Sequence, residues 1–275
     1  MSTQRSQQVD EHRDGHTSTR LGFLKGAAAA GAGAAGLGAL GPAAAFAKKR
    51  PHGPTKGDVE ILKAAQIAEA LAVTTYSNII SRAPFFKNLA SDDQGYLKAA
   101  LQEEMSHFLL EESLTRKPSG FTTFYFPKNM FADAQTTLNT LVTLEDAFIA
   151  AYLVGVREFS TADLRVTAAR IMGIESDHRT LARVVAPGVA SSDGGPIEAV
   201  TGIQKTAESV DPPNNNGYER TLGLKNIGQA VEALLPFAEA KAAEKAGFDA
   251  GKPYKFQPFT PTLPGNLGAF HSVKG

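Results

Sequence analysis

The 275-residue chain carries 28 basic and 28 acidic residues, so its formal net charge at pH 7 is zero. A nucleic-acid-binding protein needs a surplus of positive charge, which this composition lacks. The chain has no cysteine, and this excludes disulfides, zinc–cysteine sites, iron–sulfur clusters and thiol catalysis. A bound metal would therefore have to be held by His, Asp, Glu or Tyr side chains.

Residues 1–47 have the pattern of an export signal. A polar stretch is followed by a weakly hydrophobic Gly/Ala run, which ends in Ala45-Phe46-Ala47, a typical signal-peptidase site. The segment 18–25 resembles a twin-arginine signal, although Leu21 stands where the second arginine is expected. We predict a protein that is exported to the periplasm, cell envelope or exterior, with no stable membrane span once the signal is removed. A disordered or membrane-anchoring tail is the alternative.

The next part of the chain predicts a four-helix bundle over residues 56–188. Four segments repeat apolar residues with the 3.6-residue period of a helix: 58–81, 91–115, 133–159 and 160–186. Short connections join the first two and the last two, whereas an aromatic-rich stretch, 117–132, joins the two pairs. Two helical hairpins linked by one long crossover form a recognised bundle topology. We expect the aromatic stretch to be the packed part of that crossover.

From residue 189 to residue 275 the composition shifts toward Pro, Gly and Asn, and we predict an extension of the same all-α domain. A short helix is expected near 197–209, between two loops with strong turn chemistry. A fifth helix is predicted over 224–246. The Pro- and Phe-containing tail from Phe256 onward is expected to be extended.

The candidate chemistry lies in two Glu-x-x-His motifs. Residues 53–269 contain two histidines, and each follows a glutamate by three positions, as Glu104…His107 and Glu175…His178. Residues at i and i+3 share one helix face, so each carboxylate and imidazole can bind the same metal or neighbouring metals.

The other two helices each carry a glutamate within an apolar stripe, Glu69 and Glu145. A buried ionised carboxylate costs several kcal/mol without a partner, and four in one core would repel one another unless cations neutralise them. Tyr76 and Tyr152 each follow one of these glutamates by seven residues, on the same face. Their hydroxyls either pack with ordinary partners, which we favour, or donate to the ligands or take part in redox chemistry.

This order of residues resembles the di-iron and di-manganese carboxylate proteins of the ferritin-like superfamily. The resemblance spans about residues 58–186 and implies a ferritin-like four-helix bundle. It also implies a ligand set in which Glu104 and Glu175 bridge two metals: Glu69, Glu104 and His107 for one, and Glu145, Glu175 and His178 for the other. An export signal with a C-terminal extension further resembles the desiccation-related ferritin-like group.

Carboxylate-rich sites with one imidazole per metal suit iron or manganese. We therefore expect two iron or two manganese ions as cofactors, with metal ions and small oxidants as partners. The expected function is redox chemistry on dioxygen, peroxide or ferrous iron, of oxidase, peroxidase or catalase type. The alternative is a non-catalytic envelope or stress-protection protein that sequesters metal. A homodimer is left open. Glu111 and Asp177 are candidates to support the ligands, but a solvated charge is favoured for both.

Overall fold

The computed structural model describes residues 53–118, 120–185 and 223–262. The predicted signal at 1–47 and the predicted short helix at 197–209 lie outside these residues. Within them the chain is mainly helical, and all four predicted bundle helices are present. Their bounds are α1 Lys56–Arg82, α2 Ser91–Thr115, α3 Ala134–Glu158 and α4 Ala162–Val185.

The four long helices form two hairpins. α1 packs mainly against α2, and α3 packs mainly against α4, with further contacts of α1 with α3 and of α2 with α4. The core contains residues of the predicted apolar stripes and further apolar residues beside them. Buried stripe residues include Val73, Leu97, Leu138, Leu141, Ile171 and Ala182, and Leu71, Ile79 and Met105 are buried next to them. Burying one such Leu or Ile side chain contributes about 1.5–3 kcal/mol, so the stripes explain why the two hairpins associate.

One acidic residue at the start of α1 joins the two hairpins. Thr55 and Asp58 form a capping box: the Thr55 Oγ1 atom accepts from the Asp58 N–H at 3.2 Å, and Asp58 Oδ2 accepts from the Thr55 N–H at 2.8 Å. Asp58 also accepts the N–H of Ser160 at 2.8 Å and its hydroxyl at 2.5 Å. Burial alone would raise the pKa of Asp58, but hydrogen bonds from Ser160 and Thr55 outweigh it and hold the pKa below the ordinary value of 3.8.

The predicted start of α2 is correct. Its N-cap position is Ala90, which makes no side-chain cap bond. Asp92 and Asp93 occupy the first turn, where their charge interacts favourably with the helix dipole. α3 has a side-chain cap: Asp133 accepts the N–H of Thr136 at 2.8 Å.

The crossover between the hairpins is packed, as predicted. Phe124 and Phe126 are almost completely buried. A two-residue strand, β1 Thr123–Phe124, pairs antiparallel with β2 Tyr254–Lys255. β2 lies directly before the predicted extended tail and pairs the C-terminal extension with the crossover, and residues 256–262 of the tail form no helix or strand. Phe126 makes edge-on aromatic contacts with Phe131, Phe237 and Tyr254, and these contacts pack the crossover against the C-terminal extension.

The predicted single fifth helix over 224–246 is wrong, because it is two helices: α5 Ile227–Ala238 and α6 Ala240–Lys245. Pro236 lies inside α5, where it removes one hydrogen bond of the helix. The Phe237 carbonyl then accepts the N–H of Tyr125 in the crossover at 2.8 Å, and Glu239 takes an extended conformation. A tertiary hydrogen bond has replaced the bond that would have continued the helix.

Among the described residues, α3 is the one helix long and apolar enough to cross a membrane by length and composition. The bundle buries 67% of its most apolar window, which is the pattern of a core helix. The expected lack of a stable membrane span stays a prediction.

We predict that Asp58→Asn lowers the free energy of unfolding at neutral pH by about 1–3 kcal/mol. The substitution removes the charged acceptor of four hydrogen bonds, from the N–H and hydroxyl groups of Thr55 and Ser160. The pKa of this carboxyl is lower in the folded than in the unfolded protein, so its stabilising effect is complete above the unfolded value and fades as pH falls through the folded one. The difference in free energy of unfolding between wild type and variant should thus be constant down to about pH 4 and become smaller at lower pH.

Denaturant unfolding followed by circular dichroism across this pH range measures the effect. Asp163→Asn is the matched control, because Asp163 is an exposed aspartate in the first turn of α4. Equal destabilisation by both substitutions would contradict the role given to Asp58.

Candidate metal centre

All six residues predicted as ligands meet in the middle of the bundle, with contributions from all four long helices. Glu104, Glu145 and Glu175 are completely buried, and the other three are at most 7% exposed. Their ligand atoms fall into two groups that could each hold a metal ion, and the atoms of a group lie within 4.8 Å of one another. The groups are Glu69, Glu104, His107 and Glu175, and Glu104, Glu145, Glu175 and His178. Glu104 and Glu175 belong to both, as expected of bridging carboxylates.

The inward-facing atoms of this cluster have no hydrogen-bond partner within the part of the chain that the structure describes. They are both carboxylate oxygens of Glu104 and Glu175, the Oε2 atoms of Glu69 and Glu145, and the Nδ1 atoms of His107 and His178. Nine-tenths or more of buried polar groups in proteins have a partner, so eight orphaned atoms at one place need an explanation. Hard oxygen donors with one imidazole nitrogen per group fit divalent iron or manganese.

Some of these eight atoms lie close to one another, but they do not form hydrogen bonds with one another. His107 Nδ1 lies 3.2 Å from Glu175 Oε1, and His178 Nδ1 lies 2.8 Å from Glu104 Oε1. Neither contact has the angles of a hydrogen bond, since both nitrogens remain without a partner. The two nitrogens therefore face the carboxylates without forming hydrogen bonds with them.

The electrostatics of the cluster favour a bound cation. Burial, followed by the charges of Glu104 and Glu175, raises the pKa of Glu69 and of Glu145 well above the ordinary value. Burial would lower the pKa of His107, but the charge of Glu69 and contacts with the other carboxylates raise it well above its usual range. Burial would raise the pKa of Glu104, yet the charge of His178 and close contacts with the two histidines hold it well below its ordinary value. Without a cation, the cluster retains protons; a metal ion would displace them.

The two tyrosines donate to glutamates across the bundle. The Tyr76 hydroxyl donates to Glu145 Oε1 at 2.7 Å, and the Tyr152 hydroxyl hydrogen-bonds Glu69 Oε1. Each tyrosine thus fixes one oxygen of the glutamate in the other hairpin and leaves the orphaned Oε2 facing the cluster. The favoured interpretation, that the two tyrosine hydroxyls have ordinary partners, is wrong. The alternative, that they donate to the candidate ligands, is confirmed.

Tyr152 also contacts a fifth carboxylate, in addition to the four of the cluster. Its hydroxyl lies 2.8 Å from Oε1 of Glu111, which is 2% exposed. One hydroxyl proton cannot serve two charged carboxylates, so the arrangement fits a protonated Glu111, whose pKa burial raises well above its ordinary range. The expected solvated charge at Glu111 is therefore wrong. Its position seven residues after Glu104 places both on one helix face, a signal that the sequence contained. Asp177 is exposed, as expected.

Glu103 is a contributor that sequence reasoning missed. His178 Nε2 lies at hydrogen-bond distance, 2.8 Å, from Glu103 Oε2, so Nδ1 is the nitrogen left to face the cluster. The bond to His178 lowers the pKa of Glu103, which keeps it charged. The position related to Glu103 in the second hairpin is Ile174, directly before Glu175, and it offers no acceptor. The two histidine environments therefore differ.

Comparison with protein families agrees with this geometry. Residues 57–186 match a family model described as a ferritin-like domain. This match is consistent with the ferritin-like superfamily for residues 57–186. The matched ferritin-like domain contains all four long helices and all six candidate ligands, whereas α5, α6 and the tail lie outside the match. No curated protein and no solved structure matches the chain. Membership of the desiccation-related group stays a prediction.

We predict that Glu103→Ala weakens metal binding by about 10- to 100-fold, as is typical when a histidine ligand loses the partner that orients it. Glu103→Gln should fall between wild type and Glu103→Ala, because its amide oxygen can still accept the histidine N–H. Competition with a metal-binding dye measures the affinity.

Asp177→Ala is the control, since it removes an exposed carboxylate next to His178 in sequence. If Asp177→Ala and Glu103→Ala weakened binding equally, the effect would be one of general charge and not of histidine orientation.

Proposed function

We propose that the protein is exported and holds two iron or two manganese ions in the core of its ferritin-like domain, where they carry out redox chemistry on dioxygen, peroxide or ferrous iron. The observation that supports this most is the set of eight orphaned ligand atoms on six buried residues. Hydrogen bonding within the protein leaves all eight unsatisfied, whereas two cations would engage them together.

In this proposal each ion has one histidine, one glutamate of its own and two shared glutamates. One ion would be held by Glu69 and His107, the other by Glu145 and His178, and both by Glu104 and Glu175, following the two groups of ligand atoms. The paired ions would supply the electrons for reduction of a small oxidant.

The surrounding side chains would hold the ligands and their protons in place. Tyr76 and Tyr152 remain protonated donors at neutral pH, because burial raises the pKa of each hydroxyl well above its ordinary value. Glu103 orients the ring of His178. The buried apolar residues of the same helices limit access of water to the site.

Export is supported by the sequence pattern of residues 1–47 alone, with cleavage after Ala47. A sequestering protein is the second candidate, because complete burial of Glu104, Glu145 and Glu175 would also retain metal firmly. Consumption of dioxygen or peroxide by the metal-loaded protein separates the two.

We predict about two iron or manganese ions per chain in protein recovered from the exported fraction, with an N-terminus near Lys48. Glu104→Gln and Glu175→Gln should each lose most of this metal, because each removes a carboxylate shared by both ions while preserving side-chain size. Elemental analysis by mass spectrometry gives the stoichiometry.

Glu112→Gln is the matched control, because Glu112 is a partly buried glutamate of α2 outside the cluster. Folded wild-type protein that cannot be loaded with either metal would overturn the proposal. So would loading that is unchanged in both Glu→Gln variants.

A further inference from the structure

A partly enclosed pocket lies where α5 of the C-terminal extension crosses α1 and α3. α1 contributes Ala64, Ala65 and Ala68, α3 contributes Ala151 and Tyr152, and α5 contributes Ala230, together with larger apolar side chains. α5 lies outside the matched ferritin-like domain. The extension therefore completes a pocket that the four bundle helices alone leave open.

The pocket exists because alanines stand where larger side chains would fill the space. Its volume is about 30 Å³, about twice the minimum for one water-sized molecule. Ala65 and Ala151 are only partly buried, so solvent-sized molecules reach the space beside them. A water molecule needs two to four polar partners to be stable at such a site, and among the described residues Tyr152 is the one lining residue with a polar side chain.

Tyr152 links this pocket to the candidate metal centre. Tyr152 belongs to the pocket lining, and its hydroxyl contacts Glu69 and Glu111. The hydroxyl is thus already occupied by carboxylates, and offers little to a polar guest. Ala68 of the lining directly precedes the candidate ligand Glu69 in α1.

We propose that this pocket binds a small, uncharged, apolar molecule against the ring of Tyr152. A charged ion would lose its hydration without gaining a partner there, and a hydrogen-bonding molecule such as peroxide would leave its polar groups unsatisfied. An apolar molecule of dioxygen size or slightly larger meets neither penalty. The site goes beyond the proposed metal chemistry, and it gives the C-terminal extension a role in ligand binding.

Xenon is the direct probe, because it is apolar and occupies dry apolar cavities. Crystals of the metal-free protein under xenon pressure should show one xenon atom between α1, α3 and α5, and Ala230→Leu, which fills the pocket, should lose it. Ala243→Leu is the matched control, because Ala243 is a buried alanine of α6 outside the pocket, and it should retain the xenon. Ala65→Leu blocks the opposite wall if Ala230→Leu does not fold.

Benzene in a parallel experiment distinguishes the size of the guest. Binding of xenon alone supports a guest of dioxygen size, and binding of both supports a guest that displaces side chains. The proposal is overturned if neither binds the wild type, or if xenon remains in both blocking variants. These measurements need no metal, so a failure of metal loading would not contradict the proposed pocket. Likewise, a pocket that binds no xenon would not contradict the proposed metal centre.

Discussion

The buried carboxylates of the bundle impose the constraint on which the rest of this structure depends. Glu69, Glu104, Glu145 and Glu175 come from four different helices and converge in a core that water does not reach. Mutual repulsion and lost hydration cost several kcal/mol for each charge, so the fold can keep them only with compensating positive charge. Burial and neighbouring charges raise the pKa of Glu69 and Glu145, and the neighbouring carboxylates raise the pKa of both histidines against the effect of burial, so protons on these groups serve this purpose in the metal-free protein. Two divalent cations would compensate the charges in their place.

The residues around the cluster aim its atoms inward. Tyr76 and Tyr152 cross between hairpins and each hold the outer oxygen of a glutamate, which ties the two halves of the bundle together at the site itself. The two halves are similar but not identical. Glu103 supports His178, and Glu111 adds a carboxylate beside Tyr152. This asymmetry gives the two proposed metal positions different surroundings within one repeated ligand pattern.

Sequence reasoning predicted the four helices and the six clustered residues, because both follow from helical periodicity. The spacing of the apolar residues identifies the buried face of each helix. A glutamate on that face is conspicuous, because burying its charge is costly. Sequence reasoning could not predict individual contacts between side chains of different helices. Glu103 meets a histidine 75 residues away, and no local spacing encodes that distance. The split between α5 and α6 depends on a bond from Tyr125 to Phe237, again a tertiary contact that overrides local helix propensity. The pocket depends on where α5 lies, which composition does not specify.

The central claim is that two metal ions lie among these six residues. Anomalous diffraction from crystals of the manganese- or iron-loaded protein, recorded on both sides of the metal absorption edge, tests it most directly. The account predicts two peaks per chain, both in contact with Glu104 and Glu175, one beside His107 and the other beside His178. Metal-loaded crystals with no peak in the bundle core, or with peaks only at surface carboxylates, would contradict it.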